Sequence, residues 1–307
     1  MRDGTRRSWL VGLSLAALYL IWGSTYLVLR FMVEEFPPFV GNGIRFVLAG
    51  SLLGGFLLTR GAAWPTALQW WGALRIGGLM LVGGVGLVTV AEANGVGSGL
   101  AATAVAVMPI WAALWSGLFG RWPTSLEWAG MALGLVGVII LAGEGDFTGN
   151  PLGVALMIIA PVSWAFGSII SGRTPQAPGA MAVAGYMTAG GVLLLVLGFG
   201  RGERFEGIPD ASGWMALLYL TFLGSIVTLS AYTYLLENVR PALATSYAYV
   251  NPIVAVVLGV TLGSEVLSGE ALIALPLILA GVGLVAAGRS RTMVPEAGAP
   301  TTGKLPV

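Results

Sequence analysis

The stretch PALATSYAYVNPIVAVVLG, Pro241–Gly259, decides the fold because it has the length and apolarity of a membrane-spanning helix and carries Pro252 near its centre. A proline inside a helix lacks the amide donor for the carbonyl four residues earlier, here that of Ala248. Hydrocarbon offers no substitute donor, so such a helix is tolerated where it faces other helices or a water-filled cavity. The stretch therefore predicts a proline-kinked helix in the wall of an intramembrane cavity.

An earlier stretch repeats this pattern 143 positions before it. The identical pairs are Val96/Val239, Leu100/Leu243, Ala101/Ala244, Val107/Val250, Pro109/Pro252, Ile110/Ile253 and Ala112/Ala255. The repeat places Pro109 at the same point of an earlier helix and leaves the carbonyl of Val105 without its partner. The two stretches predict an internal duplication, and many transporters built from repeats bind substrate where such broken helices meet.

The composition is that of a membrane protein. The chain has 307 residues, of which 56% are hydrophobic and 9% charged, and its mean hydropathy is +0.87; soluble domains have about 25% charged residues. A net charge of +1 argues against a nucleic-acid partner. The absence of cysteine and histidine removes thiol nucleophiles, histidine bases and most metal ligands. We therefore expect no enzyme activity, no catalytic residues, no metal and no cofactor.

Apolar windows of about 20 residues predict an all-α membrane protein with ten transmembrane helices. The predicted helices are Trp9–Leu29, Pro38–Leu58, Leu68–Val90, Gly97–Leu118, Leu126–Leu141, Pro151–Ile170, Pro178–Phe199, Ser212–Leu236, Pro241–Leu262 and Glu270–Gly288. Residues 1–145 form the first repeat of five helices, residues 146–291 the second, and residues 292–307 a disordered cytoplasmic tail. Because five is odd, the second copy enters the membrane with opposite polarity, so the two five-helix repeats are inverted.

The distribution of basic residues predicts the orientation, since Lys and Arg are retained on the cytoplasmic side. The side of the N-terminus carries Arg2, Arg6, Arg7, Arg60, Arg121, Arg173, Arg240, Arg289, Arg291 and Lys304. The opposite side carries only Arg30, Arg201 and Arg204. We expect both termini in the cytoplasm of a bacterial cell, with the helices in its inner membrane.

Three stretches carry a family resemblance: WGSTYLVLR (Trp22–Arg30), LAATAVAVMPIWAALWSGLFG (Leu100–Gly120) and SYAYVNPIVAVVLGVTLGSE (Ser246–Glu265). The chain resembles the ten-helix drug/metabolite transporter superfamily of the EamA type, and within it bacterial exporters of amino acids such as the YddG-type aromatic amino-acid exporters. The resemblance implies a basket of ten helices in two inverted repeats around a central cavity, which works by alternating access. One departure is Trp122, which stands where the first repeat would match Glu265.

Polar residues of the ninth predicted helix are candidates for lining the cavity. Ser246, Tyr247, Tyr249 and Asn251 lie deep in hydrocarbon, where each must be hydrogen-bonded or face water. Hydrogen bonding between packed helices explains them equally well. The remaining candidates are the two prolines, Pro109 and Pro252, the mid-span aromatic residues Trp22, Trp111 and Trp164, Ser24 beside the first of these, and Tyr232 in the eighth helix.

Few charged residues lie within the predicted spans. Arg45 and Arg75 are long enough to extend to the membrane surface, and we expect them to do so. Glu92 is the one carboxylate that could border the cavity and carry a proton, but the turn expected at Asn94-Gly95 favours an exposed charge at a helix end. Without a chain of buried carboxylates, facilitated diffusion or exchange is expected rather than strict proton antiport.

These observations predict an inner-membrane, alternating-access exporter of small metabolites, above all amino acids, including those with aromatic or other hydrophobic side chains. An apolar cavity with aromatic walls suits such molecules. The alternative is an exporter of other small solutes, such as sugars, nucleotide-linked metabolites or toxic amphiphiles. The expected partners are the substrate and the lipid bilayer, and the oligomeric state is not indicated. A channel would need a continuous polar stripe or a charged ring, and the sequence has neither.

Overall fold

A computed structural model describes residues 2–96, 98–142, 151–262 and 269–292, and all regular structure in these ranges is helical. The ten predicted helices are present there as α1 (Arg2–Ala17, Leu18–Trp22 and Gly23–Glu35), α2 (Pro38–Thr59), α3 (Ala67–Gly77, Gly78–Gly86 and Leu87–Ala93), α4 (Ser98–Val105 and Met108–Leu118), α5 (Ser125–Ala142), α6 (Pro151–Ser171), α7 (Ala180–Gly200), α8 (Ala211–Thr221, Phe222–Val227 and Thr228–Asn238), α9 (Pro241–Ala244 and Tyr247–Leu262) and α10 (Gly269–Thr292). Six of them, α1, α2, α3, α6, α7 and α8, are long and apolar enough to cross a membrane. Residues 293–307 of the expected tail lie outside the described ranges.

The packing of the helices follows the pseudo-two-fold symmetry expected of two inverted five-helix repeats. Helix α2 packs on α7 and α5 packs on α10, so each of these pairs joins equivalent helices. Helix α3 packs on α6 as α8 packs on α1, and α4 contacts α6 as α9 contacts α1. Exchanging the two repeats leaves the first two pairs unchanged and turns each of the other four into another observed pair. Helices α1, α3, α4, α6, α8 and α9 thus form the centre of the bundle.

Glycine allows the closest of these contacts. A Cβ atom on Gly281 of α10 would stand 2.6 Å from the backbone nitrogen of Gly134 in α5, so neither helix could approach as closely with a larger residue there. Small residues at such positions bring helix backbones together in membranes, where dispersion contacts replace the hydrophobic effect. The contact explains why glycines recur at four-residue spacing in α5.

The two helices with the repeated proline are broken differently. Helix α4 is interrupted after Val105 and resumes at Met108, so Pro109 lies in the first turn of the new segment, where proline is tolerated. Helix α9 is interrupted before Tyr247, and Pro252 lies inside the segment that follows. The predicted mid-helix proline is therefore confirmed in α9 and wrong in α4. Both prolines are buried within the bundle rather than facing lipid.

Three central helices contain wide-turned π-helical segments near mid-span: Leu18–Trp22 in α1, Gly78–Gly86 in α3 and Phe222–Val227 in α8. The second and third occupy matching positions of the two repeats. A π-helical turn shifts the hydrogen-bond ladder and often accompanies a functional site. The equivalent helix to α1 in the second repeat, α6, instead carries Pro161 inside its helix. The irregular turns of these four helices lie around the central space.

Polar contacts join the two repeats near the helix ends. The Glu203 carboxylate accepts hydrogen bonds from the amides of Phe39 and Val40, at 3.0 and 2.9 Å to Oε2, and so caps the start of α2. Near the starts of α5 and α9, Arg240 Nε lies 2.8 Å from Glu127 Oε1 in an ion pair whose carboxylate is buried. These contacts join the two repeats near the ends of the helices.

Candidate functional site

A cavity of about 70 Å³ lies between the six central helices and α2. It is smaller than the roughly 300–1,000 Å³ of most small-molecule binding sites, so a ligand of ordinary size requires its lining side chains to move apart. Most of its wall is apolar, and the polar groups come from a few side chains. The lining residues are Trp22, Thr25, Tyr26 and Leu29 of α1; Arg45 and Phe46 of α2; Gly84, Val85 and Val88 of α3; Val105 and Met108 of α4; Ala160, Pro161 and Trp164 of α6; Gly224 and Leu229 of α8; and Tyr247 and Asn251 of α9.

Four aromatic side chains, Trp22, Trp164, Tyr232 and Tyr247, form an aromatic cluster beside the cavity. The ring centroid of Trp22 lies 4.6 Å from that of Tyr247, 5.4 Å from that of Tyr232 and 5.5 Å from that of Trp164. Trp22 belongs to the first repeat, and the other three belong to the second. The aromatic cluster is therefore a contact between repeats. Tyr232 is fully buried behind the three rings that line the cavity.

Hydrogen bonds fix three of the four rings. Tyr247 donates its hydroxyl hydrogen to Met108 Sδ at 3.0 Å, and Tyr232 donates to Ser168 Oγ at 2.8 Å. Trp22 Nε1 donates to the carbonyl of Gly224 at 3.3 Å, in the π-helical segment of α8. The indole nitrogen of Trp164 is buried and approaches the hydroxyl groups of Tyr232 and Tyr247 without completing a hydrogen bond in the described part of the chain.

Asn251 supplies a polar group to the cavity wall. Its side chain is buried, and neither its amide oxygen nor its amide nitrogen has a hydrogen-bond partner among the described residues. The Tyr26 hydroxyl approaches it without completing a hydrogen bond. Burying an amide without partners costs free energy, so water or a ligand is expected to complete its hydrogen bonds.

Arg45 does not extend to the membrane surface, so that prediction was wrong. Its side chain is 3% exposed and lines the cavity. Nη2 donates to the carbonyl of Gly224 at 2.8 Å and Nε donates to Ser225 Oγ at 2.8 Å, so the π-helical segment of α8 provides the acceptors that hold the guanidinium inside. Arg75 is exposed, as expected.

Two of the candidate polar residues in α9 turn away from the cavity. Tyr249 is buried against α5 and donates to the carbonyl of Met131 at 3.2 Å. Ser246 Oγ donates to the carbonyl of Leu243 and lies 2.8 Å from the Tyr19 hydroxyl of α1. Both residues therefore form hydrogen bonds within or between packed helices, as the alternative interpretation held.

Other candidates also lie outside the cavity lining. Ser24 pairs with the Tyr219 hydroxyl at 2.7 Å, and Pro109 and Pro252 are buried among the helices without lining the cavity. Trp111 instead lines a separate, almost wholly apolar pocket between α4 and α6. The backbone carbonyls of Val105 and Ala248 were expected to lack a helical hydrogen-bond partner, and Val105 is among the residues that line the cavity.

Glu92 is buried, so the expected exposed charge at a helix end was wrong. It is 8% exposed, because α3 continues to Ala93 and the carboxylate stays within the bundle. Neither of its oxygens has a hydrogen-bond partner among the described residues, and Arg30 is the charge that acts on it. The carboxylate does not line the cavity. No group of three or more His, Cys, Asp or Glu side chains in the described ranges could hold a metal ion.

The sequence analysis missed several lining residues of α1. Thr25 and Tyr26 follow Trp22 by three and four positions, so they share its face of the helix. That spacing was a signal from which both could have been predicted once Trp22 was placed in the cavity. Gly224 carried no such signal, because its carbonyl becomes available only through the π-helical turn.

Comparison with known proteins agrees with this architecture. The "Uncharacterized inner membrane transporter YedA" of Escherichia coli K12 is 48% identical over 276 residues, which cover 90% of each chain. The "Uncharacterized transporter YvbV" of Bacillus subtilis strain 168 is 27% identical over 284 residues, covering 89% of this chain and 90% of that one. A solved crystal structure shares the fold with a TM-score of 0.75 at 21% identity, over 92% of this chain and 99% of that one. The model of the EamA-like transporter family matches residues 9–143 and again residues 151–287. With two copies of this model covering nearly all of its length, the chain belongs to the EamA-like transporter family.

Proposed function

We propose that this transporter lies in the bacterial inner membrane with both termini in the cytoplasm and exports small amphipathic metabolites, above all amino acids with aromatic or other hydrophobic side chains. The observation that carries the proposal is the wall of the central cavity, where Trp22, Trp164 and Tyr247 offer apolar ring surface beside the unpartnered amide of Asn251. Aromatic surface binds a hydrophobic side chain, and the amide orients polar groups.

The contact between the repeats supports alternating access. The rings of Trp22 and Tyr247 meet across the two repeats in the wall of the cavity. Separating the repeats there requires these rings to part, and a substrate that takes their place compensates for part of the lost contact. Transport by this route needs no chemical step, only a change in which end of the cavity is closed.

Transport proceeds by facilitated diffusion or exchange rather than strict proton antiport. The buried acidic residues in the described ranges are Glu92 and Glu127, and neither lines the cavity. Glu127 is already paired with Arg240. Accumulation of substrate driven by an acidic exterior in proteoliposomes, and its loss in Glu92→Gln, would contradict this part of the proposal.

Counterflow in proteoliposomes tests the choice of substrate. Labelled phenylalanine, methionine, threonine and lysine are compared with a sugar and a cationic dye, and phenylalanine and methionine are expected to exchange fastest. Exchange of the sugar or the dye alone would replace the amino-acid proposal with export of other solutes or drugs.

The same assay tests the site. Trp22→Ala, Trp164→Ala and Asn251→Ala are each expected to change the competition between substrates by about tenfold or more, since truncating a central contact typically costs that much. Trp111→Ala is the matched control, because it removes an indole outside the central cavity. Equal effects of all four substitutions on protein yield alone would mean that the rings only pack the bundle.

A further inference from the structure

Arg45 brings a full positive charge into the wall of the central cavity. The guanidinium is buried, and it forms no ion pair with any carboxylate in the part of the chain that the structure describes. Its hydrogen-bond acceptors are neutral: two backbone carbonyls, the Ser225 hydroxyl and the Asn42 amide oxygen. The Phe46 ring lies 4.5 Å from its central carbon. A buried charge without a counter-charge is costly, so an anion at this place would be strongly favoured.

The hydrogen bonds of Arg45 do not use all of its N–H donor groups. A guanidinium has five N–H groups. Nε uses its hydrogen on Leu220 O and Ser225 Oγ, Nη1 uses one on Asn42 Oδ1 at 3.3 Å, and Nη2 uses one on Gly224 O. Nη1 and Nη2 therefore each keep one further N–H. Two N–H groups on neighbouring nitrogens match the two oxygens of a carboxylate.

We propose that the cavity recognises substrates by a carboxylate group that pairs with Arg45, while the hydrophobic part of the substrate packs on Trp22 and the other rings of the aromatic cluster. The inference rests on the proposed function because it takes the central cavity as the substrate site. It names the substrate class more closely: a molecule with a carboxylate and an apolar side chain. Arg45 is the one basic residue among the described residues of the lining, and a single guanidinium balances a carboxylate but not the two charges of a phosphate ester.

Calorimetric titration of the purified full-length chain tests the pairing. Two pairs of compounds differ only in the group that Arg45 would bind: phenylalanine against phenylalaninamide, and 3-phenylpropionate against 3-phenylpropionamide. The carboxylate of each pair is expected to bind about tenfold or more tightly than its amide, which is the usual difference for a hydrogen bond to a charged group. No preference for the carboxylate in either pair, or no binding of any of the four compounds, would overturn the inference.

Substitutions separate recognition from packing. Arg45→Gln keeps an amide donor and removes the charge, so the preference is expected to fall to about twofold or less, whereas the exposed control Arg75→Gln keeps it. If Arg45→Gln does not fold, Gly224→Ala serves instead. Its Cβ would stand 3.2 Å from Arg45 Nη2 and displace the guanidinium, which weakens carboxylate binding more than amide binding. A preference that survives in a folded Arg45→Gln protein would overturn the inference.

The two experiments distinguish a failure of the amino-acid proposal from a failure of the role given to Arg45. Arg45-dependent binding of 3-phenylpropionate without any counterflow of amino acids would uphold the carboxylate site and refute the amino-acid proposal. Counterflow of phenylalanine combined with equal binding of both members of each pair would uphold the proposed function and refute the role of Arg45.

Discussion

The indole ring of Trp22 meets the phenol ring of Tyr247 edge to face, with an interplanar angle of 65° and centroids 4.6 Å apart. This is the closest of the contacts in the aromatic cluster, and it joins the first helix of one repeat to the ninth helix of the chain. Because the Tyr247 hydroxyl is also held by Met108 of α4, the phenol ring has one defined position between the repeats.

A double-mutant cycle is expected to show that these two rings stabilise each other. Trp22→Leu and Tyr247→Leu together should destabilise the protein by about 1 kcal/mol less than the sum of the single changes, as for other aromatic pairs. The free energies of unfolding are measured by denaturant titration in mixed micelles. Trp22→Leu combined with Tyr249→Leu is the control, and its effects should add, since Tyr249 packs against α5. Additive effects in both cycles would contradict the coupling.

Replacing each of two buried glutamates by glutamine should affect the free energy of unfolding differently. Glu127→Gln breaks the 2.8 Å ion pair with Arg240 and is expected to lower the free energy of unfolding by about 1–2 kcal/mol; the partial exposure of the arginine limits the loss. Glu92→Gln replaces a buried carboxyl group that has no hydrogen-bond partner among the described residues, so stability should stay equal or rise. Thermal unfolding of the two variants beside the wild type measures both effects. A Glu92→Gln protein less stable than Glu127→Gln would contradict the assignment of partners.

Glycine 84 sets the position of Trp164. A Cβ atom on Gly84 would stand 2.7 Å from Cε3 of the Trp164 indole, so Gly84→Ala must push the ring out of place. The expected result is a loss of about 1–3 kcal/mol in stability, typical of overpacking, together with weaker substrate competition in counterflow. Gly78→Ala is the matched control in the same π-helical segment, because its Cβ would meet Leu193 Cδ1 at an ordinary 3.6 Å. Equal losses in the two variants would show that the π-helical backbone, and not the ring, needs glycine.

The helices and the repeat were predictable because their signals are local or periodic. An apolar run of about 20 residues needs no knowledge of its neighbours to be identified, and the duplication appears as identities at a fixed offset. Trp22, Trp164, Tyr247 and Asn251 could be named as cavity candidates for a related reason: their N–H, O–H and amide groups lie at mid-span, where polar groups are costly against lipid.

The orientation of side chains within the bundle was less predictable. Tyr247 and Tyr249 have the same chemistry, but two positions turn a helix by about 200°, so one lines the cavity and the other packs on α5. The placement of Arg45 depends on acceptors in α8, far away in sequence, which become available through a π-helical turn. The break of α4 before Pro109 likewise depends on the neighbouring helices, since the two repeats carry the same proline.

The start of α8 offers a test of stability against pH. The Asp210 carboxylate accepts a hydrogen bond from the amide of Gly213 at 2.9 Å, and this bond, with that from Ser212, lowers the pKa of the exposed carboxyl group. A lowered pKa in the folded state gives stability that is complete above the ordinary aspartate value of about 3.9 and is lost as the pH falls through the lower folded value. Asp210→Ala should therefore unfold at a lower temperature than the wild type at pH 7, and the difference should shrink in acid. Thr66→Ala is the control. The uncharged hydroxyl of Thr66 caps α3 by accepting a hydrogen bond from the backbone N–H of Gln69, so the effect of this substitution should not change with pH. A pH-independent effect of Asp210→Ala would mean that the carboxylate does not cap α8.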